Sequence, residues 1–199
     1  MTNNGLMENC PFACMIRHAE KERVDSDPFG NSVGLTRKGK EDAFKFGQDF
    51  KSKYGEIDRI VSSPLRRCVE TAEEISRAFD SDVIIERSEL LGNPGAYIED
   101  PELARKHFLE MSPEEVVRNL IDGVHMNGFR TIEHGFTMIS KKIKNDLKIS
   151  DSPIIYVTHD VIMFPFFVWL SGIDTEKWFN YIEPIFLLIQ DSSLKCIRN

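Results

Sequence analysis

Short apolar runs and longer amphipathic stretches alternate along most of this chain. Residues 12–16 (Phe-Ala-Cys-Met-Ile) are a short apolar run that ends in Arg17-His18 and reads as a buried strand. From Leu35-Thr36 the spacing turns helical: Thr36 suits an N-cap, and Ala43, Phe44, Phe46, Gly47 and Phe50 recur on one face. Residues 58–62 read as a second strand. That strand turns at Ser63-Pro64 into a helix, with Pro64 in its first turn and Cys68, Val69, Ala72, Ile75, Ala78 and Phe79 on its inner side. Residues 83–85 form a third strand, and 92–95, with Asn93-Pro94 inside, a loop with strong turn chemistry. The stretch 100–128 keeps a helical period but is more polar and is punctuated by Pro101, Pro113, Gly123 and Gly128. It reads as helices inserted near a site rather than as core. Residues 133–147 continue as an amphipathic helix, 154–157 as a strand and 161–170 as a further helix. Two closing strands, 185–189 and 194–197, are joined by a turn at 191–193. This order predicts an α/β fold, a three-layer α/β/α sandwich whose mainly parallel central sheet is covered on both faces.

Size and charge narrow the picture. The 199 residues suffice for one well-buried core, and the chain reads as a single domain, 1–199, with a helical insertion at about 92–128. A formal net charge of −7 lacks the basic footprint of a nucleic-acid-binding protein, so any phosphate site has to be locally basic against an acidic background. The apolar run 161–170 is about half a membrane span and contains Pro165. Residues 1–11 lack the basic-then-apolar pattern of a secretory signal. Cys10, Cys14, Cys68 and Cys196 have neither zinc-ribbon spacing nor a dense disulfide pattern, and Cys14 and Cys68 are simplest as free core thiols. The expectation is a cytoplasmic protein with neither nucleic acid nor membrane as partner.

The candidate chemistry lies where strands end. The first ends in Arg17-His18, the second runs into Ser62-Ser63-Pro64-Leu65-Arg66-Arg67, and the strand 154–157 is followed by Thr158-His159-Asp160. Parallel strands present their carboxyl ends at one sheet edge, where open α/β sheets place ligands, so groups far apart in sequence can converge there. Imidazole is a good nucleophile toward phosphorus, and guanidinium holds phosphate oxygens in a planar fork. Two histidines and two or three arginines around one point make a pocket sized for a dianion. Such a pocket could run phosphoryl transfer with cations in the place of a metal.

These segments resemble the histidine phosphatase superfamily, also called the phosphoglycerate mutase-like or acid phosphatase superfamily. Arg17-His18-Ala19-Glu20 is similar to its Arg-His-Gly-Glu signature, and Leu35-Thr36-Arg37-Lys38-Gly39 to its Leu-Thr-x-x-Gly element. The stretch from Ser62 to Ala72 resembles its Ser-x-Leu-x-Arg-x-x-x-Thr-Ala element, and Thr158-His159 its second histidine motif. The resemblance spans most of residues 12–190 and implies a phosphoglycerate mutase-like fold. By position it implies His18 as the nucleophile that becomes phosphorylated and Arg17 as its neighbouring phosphate clamp. Arg67 rather than Arg66 is the second clamp, because the family arginine lies four residues before the threonine. His159 is the second histidine of the phosphate pocket, cationic when phosphate is bound.

Two departures bear on the leaving-group acid. Ala19 replaces the usual glycine, which removes some backbone freedom. Asp160 follows the second histidine, which resembles the acid phosphatase and phytase branch, where that aspartate protonates the leaving group. The mutase-like branch uses a glutamate after the third strand instead, and Glu89 is the nearest match. Asp160 is favoured for its adjacency to His159, and Glu89 stays as the substitute.

The resulting expectation is a cofactor-independent, metal-free phosphatase acting on a small phosphorylated substrate or phosphopeptide, with an oligomeric state that the sequence leaves open. A phosphomutase on the same constellation, or a non-catalytic phospho-ligand module, are the rivals. Among the bland readings, Arg66 is a solvated charge at a helix start, and Asp160 could also serve as a helix N-cap. His107, His125 and His134 have no metal-ligand spacing. Phe164, Phe166, Phe167 and Trp169 are expected in the core, and Tyr97 and the 93–95 loop could border the pocket.

Overall fold

Among the described residues, the apolar runs pair into one six-stranded sheet of order β3-β2-β4-β1-β5-β6. The strands are β1 (Ala13–Arg17), β2 (Arg59–Ser62), β3 (Ile84–Arg87), β4 (Ile154–Thr158), β5 (Pro184–Gln190) and β6 (Ser193–Arg198). The computed structural model describes residues 11–23, 32–173 and 176–198. Cys10 and most of the amino-terminal segment read for a signal thus lie outside the described residues. β1, β2, β3 and β4 pair in parallel, while β5 runs antiparallel to both β1 and β6.

Side-chain alternation explains why this sheet is covered on both faces. Ala13 and Met15 of β1, Ile154 and Tyr156 of β4, and Ile185 and Leu187 of β5 join one apolar cluster. Their neighbours Cys14 and Ile16, Ile155 and Val157, and Phe186 and Leu188 join the other. The second cluster is closed by α1 (Arg37–Tyr54) and α2 (Arg66–Ser76), through Ala43, Phe50, Cys68, Ala72 and Ile75. The first is closed by α4 (Pro113–Ile121), α5 (Ile132–Ile149) and α6 (Asp160–Ser171). A mostly parallel sheet between two helical layers is the predicted α/β/α sandwich.

Helix starts follow capping chemistry. The Thr36 hydroxyl accepts the Gly39 N–H at 2.9 Å, and Asp100 caps α3 (Pro101–Glu110) ahead of Pro101. Ser112 and Glu115 form a reciprocal capping box on α4.

Several details differ from the sequence reading. Pro64 stands before α2 rather than in its first turn. Leu65 is an extended N-cap, and Ser63 Oγ accepts its N–H at 3.3 Å, so the turn takes two more residues before the helix begins. α2 ends at Ser76, so Ala78 and Phe79 lie beyond it. The region 100–128 is not peripheral throughout: Val116, Val117 and Leu120 share one face of α4 and enter the first core cluster, as does Met126. Trp169 is 45 % exposed, in the last turn of α6, whereas Phe164, Phe166 and Phe167 are buried. Cys14 and Cys68 are free and buried as expected. No described helix is long and apolar enough to cross a membrane.

Candidate active site

Strand register brings three polar strand ends to one level. Arg17 pairs with Thr158 across β1 and β4, and Ser62 pairs with Val157 across β2 and β4. The next residues, His18, His159 and Ser63, therefore leave the sheet side by side. Backbone bonds hold them there: His18 N–H donates to the Thr158 carbonyl and Ser63 N–H to the Val157 carbonyl, each at 2.9 Å.

His18 is 2 % exposed, and its Nδ1 lies 2.8 Å from the Ala19 carbonyl oxygen. A carbonyl only accepts, so Nδ1 bears the hydrogen and the lone pair is on Nε2. Arg67 Nε donates toward that lone pair at 3.2 Å. Burial, and after it the Arg67 guanidinium, hold the His18 imidazole well below the ordinary histidine range. The ring is neutral and its free nitrogen faces a cation.

Arg67 reaches the second histidine as well. Its Nη2 lies 3.2 Å from Nδ1 of His159, which must accept, so His159 donates from Nε2 to Ser63 Oγ at 3.0 Å. Burial, then Arg67, then His18 hold this imidazole well below its usual range too. The two ring centroids are 5.3 Å apart. Cys68 Sγ lies 3.5 Å from His159 Nε2, and burial pushes its thiol up to about 12, which keeps it protonated.

Arg17 forms another side of the site. Its Nη1 donates to the Phe179 carbonyl at 2.7 Å, its Nη2 pairs with Asp160 Oδ2 at 2.8 Å, and its guanidinium lies 4.4 Å from the centre of the Tyr181 ring. Asp160 opens α6. Its Oδ1 accepts the Val161 N–H at 2.9 Å, and Trp178 Nε1 donates to Oδ2 at 3.2 Å.

Three further contacts explain motif residues that have no chemistry of their own. Thr71 Oγ1 accepts the Ala19 N–H at 3.0 Å and donates to the Arg67 carbonyl at 2.7 Å, tying the loop after His18 to the helix that bears Arg67. The Glu20 carbonyl accepts the Thr36 N–H at 3.0 Å, and a Cβ on Gly39 would lie 2.2 Å from that same oxygen. Only glycine lets α1 approach the His18–Glu20 segment so closely. Gly92 has φ of +142°, and a Cβ there would come within 2.7 Å of the His159 ring and of Ser63 Oγ.

The structure thus brings together five of the six expected residues: His18, Arg17, Arg67, His159 and Asp160. Glu89 is set apart. It begins a 3₁₀ turn, Glu89–Leu91, and is exposed, and among the described residues its carboxylate bonds to none of the other five. Arg66 also lies outside the group, exposed and 2.6 Å from Glu70 Oε1. His107, His125 and His134 do not cluster, and the described residues hold no group of three or more His, Cys, Asp or Glu suited to a metal. Sequence reading assigned no role to Ser63 and Thr71, although both lie in the quoted motif, and it missed Trp178, Phe179 and Tyr181, which precede β5 without any marking pattern.

Known proteins resemble this chain in sequence and in fold. Residues 13–91 match the histidine phosphatase superfamily (branch 1). Phosphoserine phosphatase 1 of Hydrogenobacter thermophilus is 26 % identical over 177 residues, covering 84 % of this chain and 79 % of that protein. The structure of a mycobacterial glucosyl-3-phosphoglycerate phosphatase superposes with a TM-score of 0.64 at 15 % identity, over 96 % of each chain. Phosphoglycerate mutase from Bacillus anthracis gives a TM-score of 0.64 at 16 % identity, over 96 % of this chain and 94 % of its own. The matched stretch contains the Arg17-His18 and Arg67 segments, and the fold beyond it is shared with these structures. Residues 13–91 thus resemble the histidine phosphatase superfamily (branch 1), and the chain as a whole shares the fold of these structures.

Proposed function

We propose that this protein is a cofactor-independent phosphatase that hydrolyses a phosphomonoester through a phosphohistidine on His18. The observation that supports it most is the state of His18: neutral, with Nδ1 bonded to a carbonyl and the Nε2 lone pair facing Arg67. Phosphatases among the relatives and structural neighbours favour the same reading.

In this reading the phosphate dianion sits between the two imidazoles, and its oxygens take the N–H groups of Arg67 and Arg17 in bidentate fashion. His159 provides the remaining donor and gains a proton as the dianion arrives beside it. His18 Nε2 attacks phosphorus in line; the P–N bond forms as the bond to the ester oxygen breaks. Arg17, Arg67 and His159 stabilise the charge on the transferring group. Asp160 contacts a phosphate clamp as a carboxylate; in its protonated form, once the phosphate has displaced it from Arg17, it gives that proton to the departing oxygen. The alcohol leaves, and a water molecule takes its place. That water loses a proton to the Asp160 carboxylate and attacks phosphorus, the P–N bond breaks, inorganic phosphate departs, and His159 and Asp160 release their protons to solvent, which restores the original enzyme.

The test is trapping of the intermediate. Rapid quench with a radiolabelled monoester should leave acid-labile, base-stable phosphate on the wild type and none on His18→Ala. The same substitution should lower turnover by about three decades or more, about 4 kcal/mol of barrier. Near-normal turnover in His18→Ala would end the proposal.

A further inference from the structure

Beside the phosphate site lies a cavity of about 110 Å³, whose lining includes Arg67 and His159. Its remaining wall is made largely by the 92–129 region and α6, with Phe108, Val117, Leu120, Phe129 and Ile162 among the contributors. Among the described residues that line it there is no carboxylate, and Arg67 is the sole cation. Arg67 is already directed at the two imidazoles. Tyr97, on the same wall, is 2 % exposed and its hydroxyl has no hydrogen-bond partner among the described residues.

From this composition, and resting on the phosphatase reading above, we infer that the substrate is the phosphate ester of a short apolar alcohol, whose carbon chain fills this cavity. A leaving group such as serine brings an ammonium and a carboxylate, and each needs a partner once it leaves water. The cavity offers no anion for the first, and its two cations in the substrate complex, Arg67 and the His159 that gains a proton with the dianion, are committed to the phosphate. An alkyl or alicyclic chain needs neither and gains by leaving water. The Tyr97 hydroxyl, kept protonated because burial pushes it up, suits a single ether or hydroxyl oxygen on that chain and, being neutral, balances neither charge of a zwitterion. Size sets the length. A cavity of about 150 Å³ takes a benzene molecule, so the present one holds roughly four or five carbons.

The probe is a ladder of n-alkylphosphonates, methyl to hexyl, together with the phosphonate analogue of phosphoserine, titrated calorimetrically into the wild-type protein. These compounds bind without being hydrolysed, so the result is independent of turnover. Affinity should tighten about threefold to fourfold per methylene up to four or five carbons and then level off. The phosphoserine analogue should bind no tighter than methylphosphonate. In Phe108→Ala, a half-buried wall position, the plateau should move to longer chains while methylphosphonate affinity is kept. A flat ladder, a phosphoserine analogue that binds tightest, or an unmoved plateau with methylphosphonate affinity retained would each overturn the assignment. Hydrolysis of p-nitrophenyl phosphate by the same preparation, and its loss in His18→Ala, tests the phosphatase reading separately. A steep ladder without His18-dependent turnover refutes that reading alone. His18-dependent turnover with a flat ladder refutes only the apolar substrate.

Discussion

Arg67 Nε stands 3.2 Å from the lone-pair nitrogen of His18, so, after burial, the cation that would bind phosphate also helps to keep the imidazole proposed as nucleophile unprotonated. Arg66, the adjacent residue, points to solvent and pairs with Glu70. Neighbours on a helix are about 100° apart, which is why one faces the site and the other does not. Arg67→Ala should lower kcat/KM by about two to three decades, the usual loss for an electrostatic donor in a preorganised site. Arg66→Ala should stay within about threefold, as expected for an exposed ion pair. Steady-state kinetics on both variants decide it, and equal losses would contradict the assignment of Arg67.

Asp160 has two contacts that could mislead a simple mutant assay, since it is the ion-pair partner of Arg17 and accepts from Trp178. Leaving-group dependence separates acid catalysis from positioning. A general acid matters for a strongly basic alkoxide and little for nitrophenolate. In single-turnover measurements Asp160→Asn should slow alkyl phosphate cleavage far more than nitrophenyl phosphate cleavage, and Glu89→Gln should show no such selectivity. A selective defect in Glu89→Gln alone would transfer the role to Glu89.

Charge stabilisation in this scheme comes entirely from Arg17, Arg67 and His159. Activity should survive exhaustive chelation, and vanadate should inhibit by occupying the phosphate position. Loss of turnover on chelation, restored by a divalent ion, would require a different mechanism.

Both active-site imidazoles are held well below the ordinary range, by burial first and by Arg67 next. In the unfolded chain they take up protons near pH ~6.5. Below that pH, and above the folded-state values, the unfolded state binds more protons, so stability rises with pH and falls on acidification. Melting temperature should decline as pH drops from about 7 to about 5, and the decline should be shallower in a His18→Asn, His159→Asn double variant. Parallel declines in the two proteins would show that these rings do not govern the acid limb.

Most of the scaffold was legible because its signals are local. The short apolar runs 12–16 and 154–157 mark strands β1 and β4 buried on both faces, and Thr36 with Gly39 marks a helix start. The residues that converge were legible because strand ends in a parallel sheet share an edge. What escaped depends on partners distant in sequence. Nothing near Arg17 indicates that it binds the Phe179 carbonyl or stacks on Tyr181, since both come from an unpatterned segment before β5. The burial of α4 escaped for a different reason: its four aliphatic residues among charged ones gave an average that looks peripheral, while the placement of Val116, Val117 and Leu120 on one face made them core.

The partners in the site lie 49, 92 and 96 positions apart in sequence for the Arg67–His18, Arg67–His159 and Ser63–His159 contacts. No short fragment of the chain holds all of these partners. Pairings of such long range form late, because loop closure has to be met before they contribute. In the proposed reading an oxyanion would thus meet its full set of partners only at the finished sheet edge. Vanadate or phosphate in a refolding mixture should slow unfolding and raise the native population by mass action, without accelerating collapse.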